Sequence, residues 1–261
     1  MKKAIWVISF GTSYKENLER SIGGIENYLR GEFKNYRLYR AFTSQRIIRK
    51  LWEENKIAIP TLEEAITQMR EDGMEHIVVQ PTYVVHGLEY ERLKSALEGY
   101  RDFFQTLKLG EPLLNQVEDY KACVHSVIED WQMNKEEVIV LAGHGTQGHA
   151  QAAYTMLEYA FHSMGYSNVL VGTVEGYPSV SDVMQKLGML EPRPLRIIPF
   201  MIVSGEHVHH DLAGDERSWM ARFQSMGFPS RVVERGLGEM KGIQRIFAEH
   251  VREAMVSCRE S

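Results

Sequence analysis

The chain reads as an α/β protein built from two similar three-layer α/β/α domains with mainly parallel sheets. Two observations predict this. Short β-rich runs alternate with longer helical patterns, and a parallel strand pair needs a crossover, usually a helix. Pieces of the first half also recur, in the same order, in the second.

Taken in chain order, strands are expected at 3–9, 37–42, 75–80, 137–142, 168–174, 194–201 and 231–235, with a weaker one near 107–110. Helical patterns fall near 14–30, 60–72, 89–106, 117–132, 149–164, 179–188, 216–226 and 240–256. In the last, Ile243, Phe247, Val251 and Met255 recur every four residues as one apolar stripe. The start imitates an export signal, with Met1, Lys2 and Lys3 ahead of an apolar run from Ala4 to Phe10. That run stops after about seven residues, and Tyr14, Lys15 and Glu16 stand where small residues would be cleaved. A buried first strand is the expectation.

The repeat sets the domain plan. Ser9, Phe10, Gly11 and Thr12 follow the first strand as Gly143, His144, Gly145 and Thr146 follow the strand near 140. Pro81 and Gly87 keep the spacing of Pro199 and Gly205. Leu109, Gly110 and Glu111 echo Leu237, Gly238 and Glu239. The expected division is an N-terminal domain at 1–115, a connecting helix at 116–133, a C-terminal domain at 134–240 and a final helix, 241–261, packing back on the body.

Composition narrows the function. With 261 residues, 44% hydrophobic and 25% charged, the chain can bury a core without disulfides. Thirty Lys and Arg against 35 Asp and Glu give a charge of −5, so no general basic surface awaits nucleic acid. No apolar run approaches the roughly 18 residues that would span a bilayer. Two cysteines, Cys123 and Cys258, are too few for a thiolate cluster, and a reducing cytoplasm is the simplest setting.

Parallel α/β sheets bind ligands outside the C-terminal ends of their strands. There the second half presents His144, Glu175 and His207 after three consecutive strands. Two imidazoles and a carboxylate suit a divalent first-row metal, and the lack of thiolate disfavours a closed structural site. The first-half counterparts are Phe10, Thr43 and Glu89, of which Glu89 alone keeps ligand character. His149, His209 and His210 lie nearby without an assigned role. A competing pattern overlaps the same turn, since Gly143, Gly145 and Gly148 have the spacing of a dinucleotide fingerprint. Its repeat partner keeps only Gly11, and His144 is bulky for such a turn.

These segments together resemble the anaerobic-pathway sirohydrochlorin cobaltochelatases, class II chelatases related to protoporphyrin ferrochelatase. The likeness rests on Ser9 to Ser13, on Ala41 to Ser44 with Ile47 and Ile48, and on Gly87 to Glu91. It continues through Gly143 to Thr146, Glu175 to Pro178 and Pro199 to His207. It implies two chelatase-type domains with a tetrapyrrole in the cleft between them. By this resemblance His144, Glu175 and His207 match the metal ligands, and His144 the proton acceptor. Glu175 and Glu89 are expected to assist proton removal, Glu89 from the opposite domain. One departure is Gly148, where many members have histidine.

The implied activity is ATP-independent insertion of Co2+ into sirohydrochlorin for cobalamin synthesis, with no nucleotide. Fe2+ or Ni2+ chelation, or another tetrapyrrole, is a near alternative. A non-catalytic metal or haem carrier is an alternative of another class, and a dinucleotide-dependent oxidoreductase a third. The substrate carries a rim of carboxylates, so basic and hydrogen-bonding groups are expected around it. Phe10, Ser13, Tyr14, Tyr83, Glu89 and Arg92 are the expected substrate contacts, with Lys15 and Arg217 as further cations. Neither a membrane nor a nucleic acid is an expected partner; a homo-oligomer is allowed.

Overall fold

A computed structural model of the chain describes residues 2–206 and 208–256. The chain divides into two compact units, one of residues up to Asn115 together with the segment from Lys241, the other from Gln116 to Met240.

The first unit opens with β1 (Lys3–Ser9), then a helical run of α1 (Lys15–Asn17), a π-helical turn (Leu18–Ile22) and α2 (Gly23–Glu32). It continues through β2 (Arg37–Phe42), α3 (Gln45–Asn55), α4 (Leu62–Glu71), β3 (His76–Pro81), α5 (Leu88–Glu98) and β4 (Thr106–Leu109). Its four strands run parallel in the order β2-β1-β3-β4. Ala4 to Ile8 of β1 are at most 1% exposed, so both faces of the sheet are covered, as a parallel sheet requires. The period of two sends Trp6 and Ile8 to one face, where they join Ile77 and Val79 against Ala65, Ile66 and Met69 of α4 and Leu93 and Leu97 of α5. Thr61 starts α4 with a capping box. Its hydroxyl accepts the Glu64 N–H (3.2 Å), and the Glu64 carboxylate accepts the Thr61 N–H (2.8 Å).

The second unit begins with α6 (Val117–Asp130), the helix expected as a connector, which packs here against α7 (Ala152–Ser163). Around them come β5 (Val138–Gly143), a 3-10 turn (Gly148–Gln151), β6 (Val169–Thr173), α8 (Val180–Leu187) and β7 (Leu195–Phe200). A π-helical turn (Val208–Leu212), α9 (Trp219–Ser225) and β8 (Ser230–Val232) follow. The strands are again parallel, in the order β6-β5-β7-β8. Val138, Val140 and Ala142 of β5 pack with Val183 and Leu187 of α8 and Trp219 and Phe223 of α9. The final helix, α10 (Lys241–Val256), lies on α2 and β3 of the first unit. Its Ile243, Phe247 and Val251 are wholly buried, each contributing about 1.5–3 kcal/mol, while Met255 is half-buried.

Residue registers make the duplication explicit. β1 places Ile8 beside Pro81, and β5 places Ala142 beside Pro199. Ser9, Phe10 and Gly11 therefore correspond to Gly143, His144 and Gly145. Two further expectations need correction. Thr43 and Ser44 donate backbone N–H groups to the Ser9 and Phe10 carbonyls, as Val174 and Glu175 do to Gly143 and His144. The counterpart of Glu175 is thus Ser44, not Thr43. Likewise Leu113 and Leu114 donate to Tyr83 and Val84 as Leu237 and Gly238 do to Met201 and Ile202. The resemblance of Leu109, Gly110 and Glu111 to Leu237, Gly238 and Glu239 is coincidental, because β4 and β8 put Leu109 opposite Val232 in the repeat.

Helix α3 is the element the periodicity did not predict. Arg46, Arg49, Lys50, Glu53 and Glu54 line it, and Leu51 is its only fully buried residue. Ser44 starts it by accepting the Ile47 N–H on its hydroxyl (3.4 Å). The helix expected over 89–106 ends at Glu98, and the strand expected at 231–235 shrinks to three residues.

Candidate metal centre

β5 is flanked by β6 and β7, so the second sheet reverses its winding direction beside β5. In parallel α/β folds that crevice receives ligands. His144 leaves the end of β5 and Glu175 leaves the end of β6, both with exposed side chains. Their turns are bonded through the backbone: Val174 N–H donates to the Gly143 carbonyl (2.9 Å), and Glu175 N–H to the His144 carbonyl (2.8 Å). The Glu175 turn is pinned from its far side too, where Thr173 donates both its N–H (2.6 Å) and its hydroxyl (2.9 Å) to the Pro178 carbonyl.

Glycines make this approach possible. A Cβ on Gly145 would strike the Glu175 carbonyl and come within 3.1 Å of the Thr173 Cβ, and its φ of +98° is one that side chains rarely tolerate. At Gly143 a Cβ would meet the ring of Tyr154, at 2.9 Å from Cδ1. Tyr154 accepts the Gly145 N–H on its hydroxyl oxygen (3.2 Å), and burial pushes its phenol up to about 12, so it stays neutral there. The glycine pattern is thus accounted for by packing of the Glu175 turn and the Tyr154 ring. Gly148, the third glycine of the dinucleotide spacing, has open space around its Cβ position and makes no close helix–strand contact.

An imidazole and a carboxylate on adjoining turns supply nitrogen and oxygen donors to a hard or borderline divalent ion. His207, expected as the third donor, lies outside the described residues, as does Cys258. Among the described residues no three His, Cys, Asp or Glu side chains gather into a metal-holding group. His149 is exposed in the 3-10 turn. His209 and His210 are exposed in the π-helical turn, where His210, Asp211, Asp215 and Arg217 line a cavity of about 290 Å³. Arg217 is committed there to Asp215 (3.3 Å), whose carboxyl is held below the usual range by the Arg217 backbone N–H and then its guanidinium.

In the first unit, Phe10 is 47% exposed and Ser13 and Tyr14 are half-buried. Tyr83 is buried, 3.4 Å from the Thr43 hydroxyl, and its phenol is raised to about 12, first by burial. The negative charge of Glu89 adds to that rise, so the two residues share one neighbourhood. Glu89 pairs with Arg92 across one helical turn (2.8 Å), and Lys15 lies 3.9 Å from Glu19. Sequence reasoning passed over Ser44 and His86. The latter sits one residue before Gly87 in the repeated segment, with a buried carboxylate beside it.

Comparison with known proteins bears on the family and the fold. The family model "Cobalt chelatase (CbiK)" matches residues 3–256. The chain is similar to the sirohydrochlorin cobaltochelatase of Salmonella typhimurium, at 34% identity over 257 residues, covering 98% of this chain and 97% of that one. It is similar to the sirohydrochlorin cobaltochelatase CbiKC of Nitratidesulfovibrio vulgaris at 26% identity, covering 97% and 91%. Among solved structures, SirB from Bacillus subtilis with Fe3+ shares the fold, with a TM-score of 0.70, 17% identity and coverage of 98% and 96%.

Proposed function

The chain belongs to the cobalt chelatase family, and on that footing we propose that it inserts Co2+ into sirohydrochlorin, without ATP, in cobalamin synthesis. The observation that carries this reading is the backbone bond between the His144 and Glu175 turns, which keeps two donors of different chemistry side by side and exposed.

The cobalt ion is a substrate and has to be given up. Imidazole and carboxylate donors with coordination positions left open hold it loosely enough, whereas a closed thiolate site would not. We assign His144, Glu175 and His207 as the donors. An Nδ1–H on His144 directed at the Gly145 carbonyl (3.3 Å) sets the tautomer in which Nε2 carries the lone pair. Insertion of M2+ displaces two pyrrole N–H protons from the macrocycle, and an imidazole accepts such a proton near neutral pH. His144 takes that role once the ion has passed to the macrocycle and freed the Nε2 lone pair, with Glu175 assisting. Glu89 acts on the substrate from the first unit, close to Tyr83. Phe10 offers an exposed ring to the flat macrocycle, and Ser13, Tyr14 and Arg92 offer donors to its carboxylates. No helix among the described residues is long and apolar enough to cross a membrane; the cytoplasm is the compartment we assign.

Purified protein mixed with sirohydrochlorin and, in parallel, Co2+, Fe2+ or Ni2+ tests the reading by absorption spectroscopy without ATP. Turnover of the pyrrole absorption fastest with Co2+ supports it. Binding with no spectral turnover identifies a carrier, and faster turnover with Fe2+ or Ni2+ reassigns the metal, since N/O donors alone do not select among these ions.

A further inference from the structure

The loop between β3 and α5 holds a second histidine–carboxylate arrangement, remote in sequence from His144. His86 Nε2 lies 3.0 Å from the Asn115 Oδ1 and 3.4 Å from Glu111 Oε2, both acceptors. The imidazole is set edge-on against the ring of Tyr90, with centroids 4.7 Å apart. Tyr90 in turn donates its hydroxyl to Glu111 Oε2 (3.2 Å). Glu111 is fixed through its main chain as well: its carbonyl accepts Gln80 Nε2 (2.9 Å) and lies 3.2 Å from His250 Nδ1. The Glu111 side chain is 12% exposed, whereas that of His86 is 36% exposed. A buried acid therefore stands behind an imidazole that reaches solvent.

Two acceptors at Nε2 keep a proton on that nitrogen whether the ring is neutral or charged. Nδ1 is then the ring atom left to accept a proton, with the Glu111 carboxylate behind the ring as the acid of a catalytic triad stands behind its histidine. We propose that His86, backed by Glu111, is a second proton acceptor of the chelatase reaction. In the step, a pyrrole N–H bond breaks, its electron pair stays on the nitrogen to bind Co2+, and the proton forms an N–H bond at Nδ1 of His86. This rests on the chelatase reading above and extends it, because one metal ion releases two protons and His144 accounts for one.

His86→Gln tests it, since glutamine still donates to Glu111 and Asn115 but takes up no proton. In Co2+ insertion the variant should lose about 100-fold in kcat, with KM for Co2+, affinity for metal-free sirohydrochlorin and the unfolding midpoint all unchanged. Glu111→Gln should lose less, about 10-fold, by the same split. Wild-type kcat in His86→Gln overturns the proposal alone, and so does a loss of kcat that comes with lost sirohydrochlorin binding or lowered stability. No turnover by the unaltered chain overturns the chelatase reading and this step with it.

Discussion

The two units share a strand order and a backbone register, yet their corresponding turns carry different chemistry. Where the second unit has His144 and Glu175, the first has Phe10 and Ser44, bonded by the same pair of main-chain hydrogen bonds. Both turns need a glycine at positive φ, +111° at Gly11 and +98° at Gly145. The reasons differ. At Gly11 a Cβ would press on the ring of Phe42 at 2.5 Å, whereas at Gly145 it would run into a main-chain carbonyl. The bonds that join each pair of turns are made by main-chain N–H and carbonyl groups, and the turns differ in the side chain just before each glycine. Duplication of this kind preserves the main-chain geometry of the turn while leaving each copy free to present a different side chain, an imidazole in one and an aromatic ring in the other.

Breaking the second turn should have the largest effect. His144→Ala is expected to lower Co2+ insertion by at least about 100-fold, while Phe10→Ala acts mainly on the KM for the macrocycle. Steady-state rates separate the two, and thermal melting should show both folded, since both side chains are exposed. Next come the glycines. Gly145→Ala is expected to cost about 3 kcal/mol, from backbone strain plus a contact with a carbonyl that cannot rotate away. Gly11→Ala should cost less, because an aromatic ring yields more readily; urea unfolding midpoints measure the difference. Tyr154→Phe removes the acceptor of the Gly145 N–H and should cost about 1–2 kcal/mol by the same assay.

The smallest effect depends on pH. Asp182 has its carboxyl held below the ordinary range, first by the Ser179 hydroxyl and then by the Ser179 N–H, which together cap α8 beside the Glu175 turn. A carboxyl depressed in the fold stabilises it above the unfolded value and loses that contribution as pH falls through the folded one. The stability gap between wild type and Ser179→Ala should therefore narrow on acidification below about pH 4. An unchanged gap in unfolding at pH 7 and pH 3 would remove Asp182 from the cap.

Much of this architecture is legible from residue order alone. Lys3 to Ser9 stands out because this inner strand is buried on both faces, which writes an apolar run into the sequence. Arg37 to Phe42, at the edge of the sheet, buries Tyr39, Ala41 and Phe42 and keeps its two arginines among them. Helix α3 leaves a shorter trace: Leu51 is its one fully buried residue, Ile47 and Ile48 are half-buried beside it, and charged residues fill most of the rest. Its apolar stripe is therefore brief, and the capping Ser44 is the second signal. The positions of His144 and Glu175 are readable because each directly or nearly follows a strand end. Choosing between Thr43 and Ser44 as a counterpart is not, since one residue of loop register is fixed only by which N–H meets which carbonyl. His86 went unassigned for a similar reason. Its carboxylate, Glu111, lies 25 positions along the chain, and only folding brings the two together.

The clasp between the His144 and Glu175 turns has an evolutionary corollary. Main-chain atoms alone form it, so replacing His144 or Glu175 leaves the clasp intact. A lineage can therefore change which side chains these two positions present one codon at a time, without first rebuilding the loops that carry them.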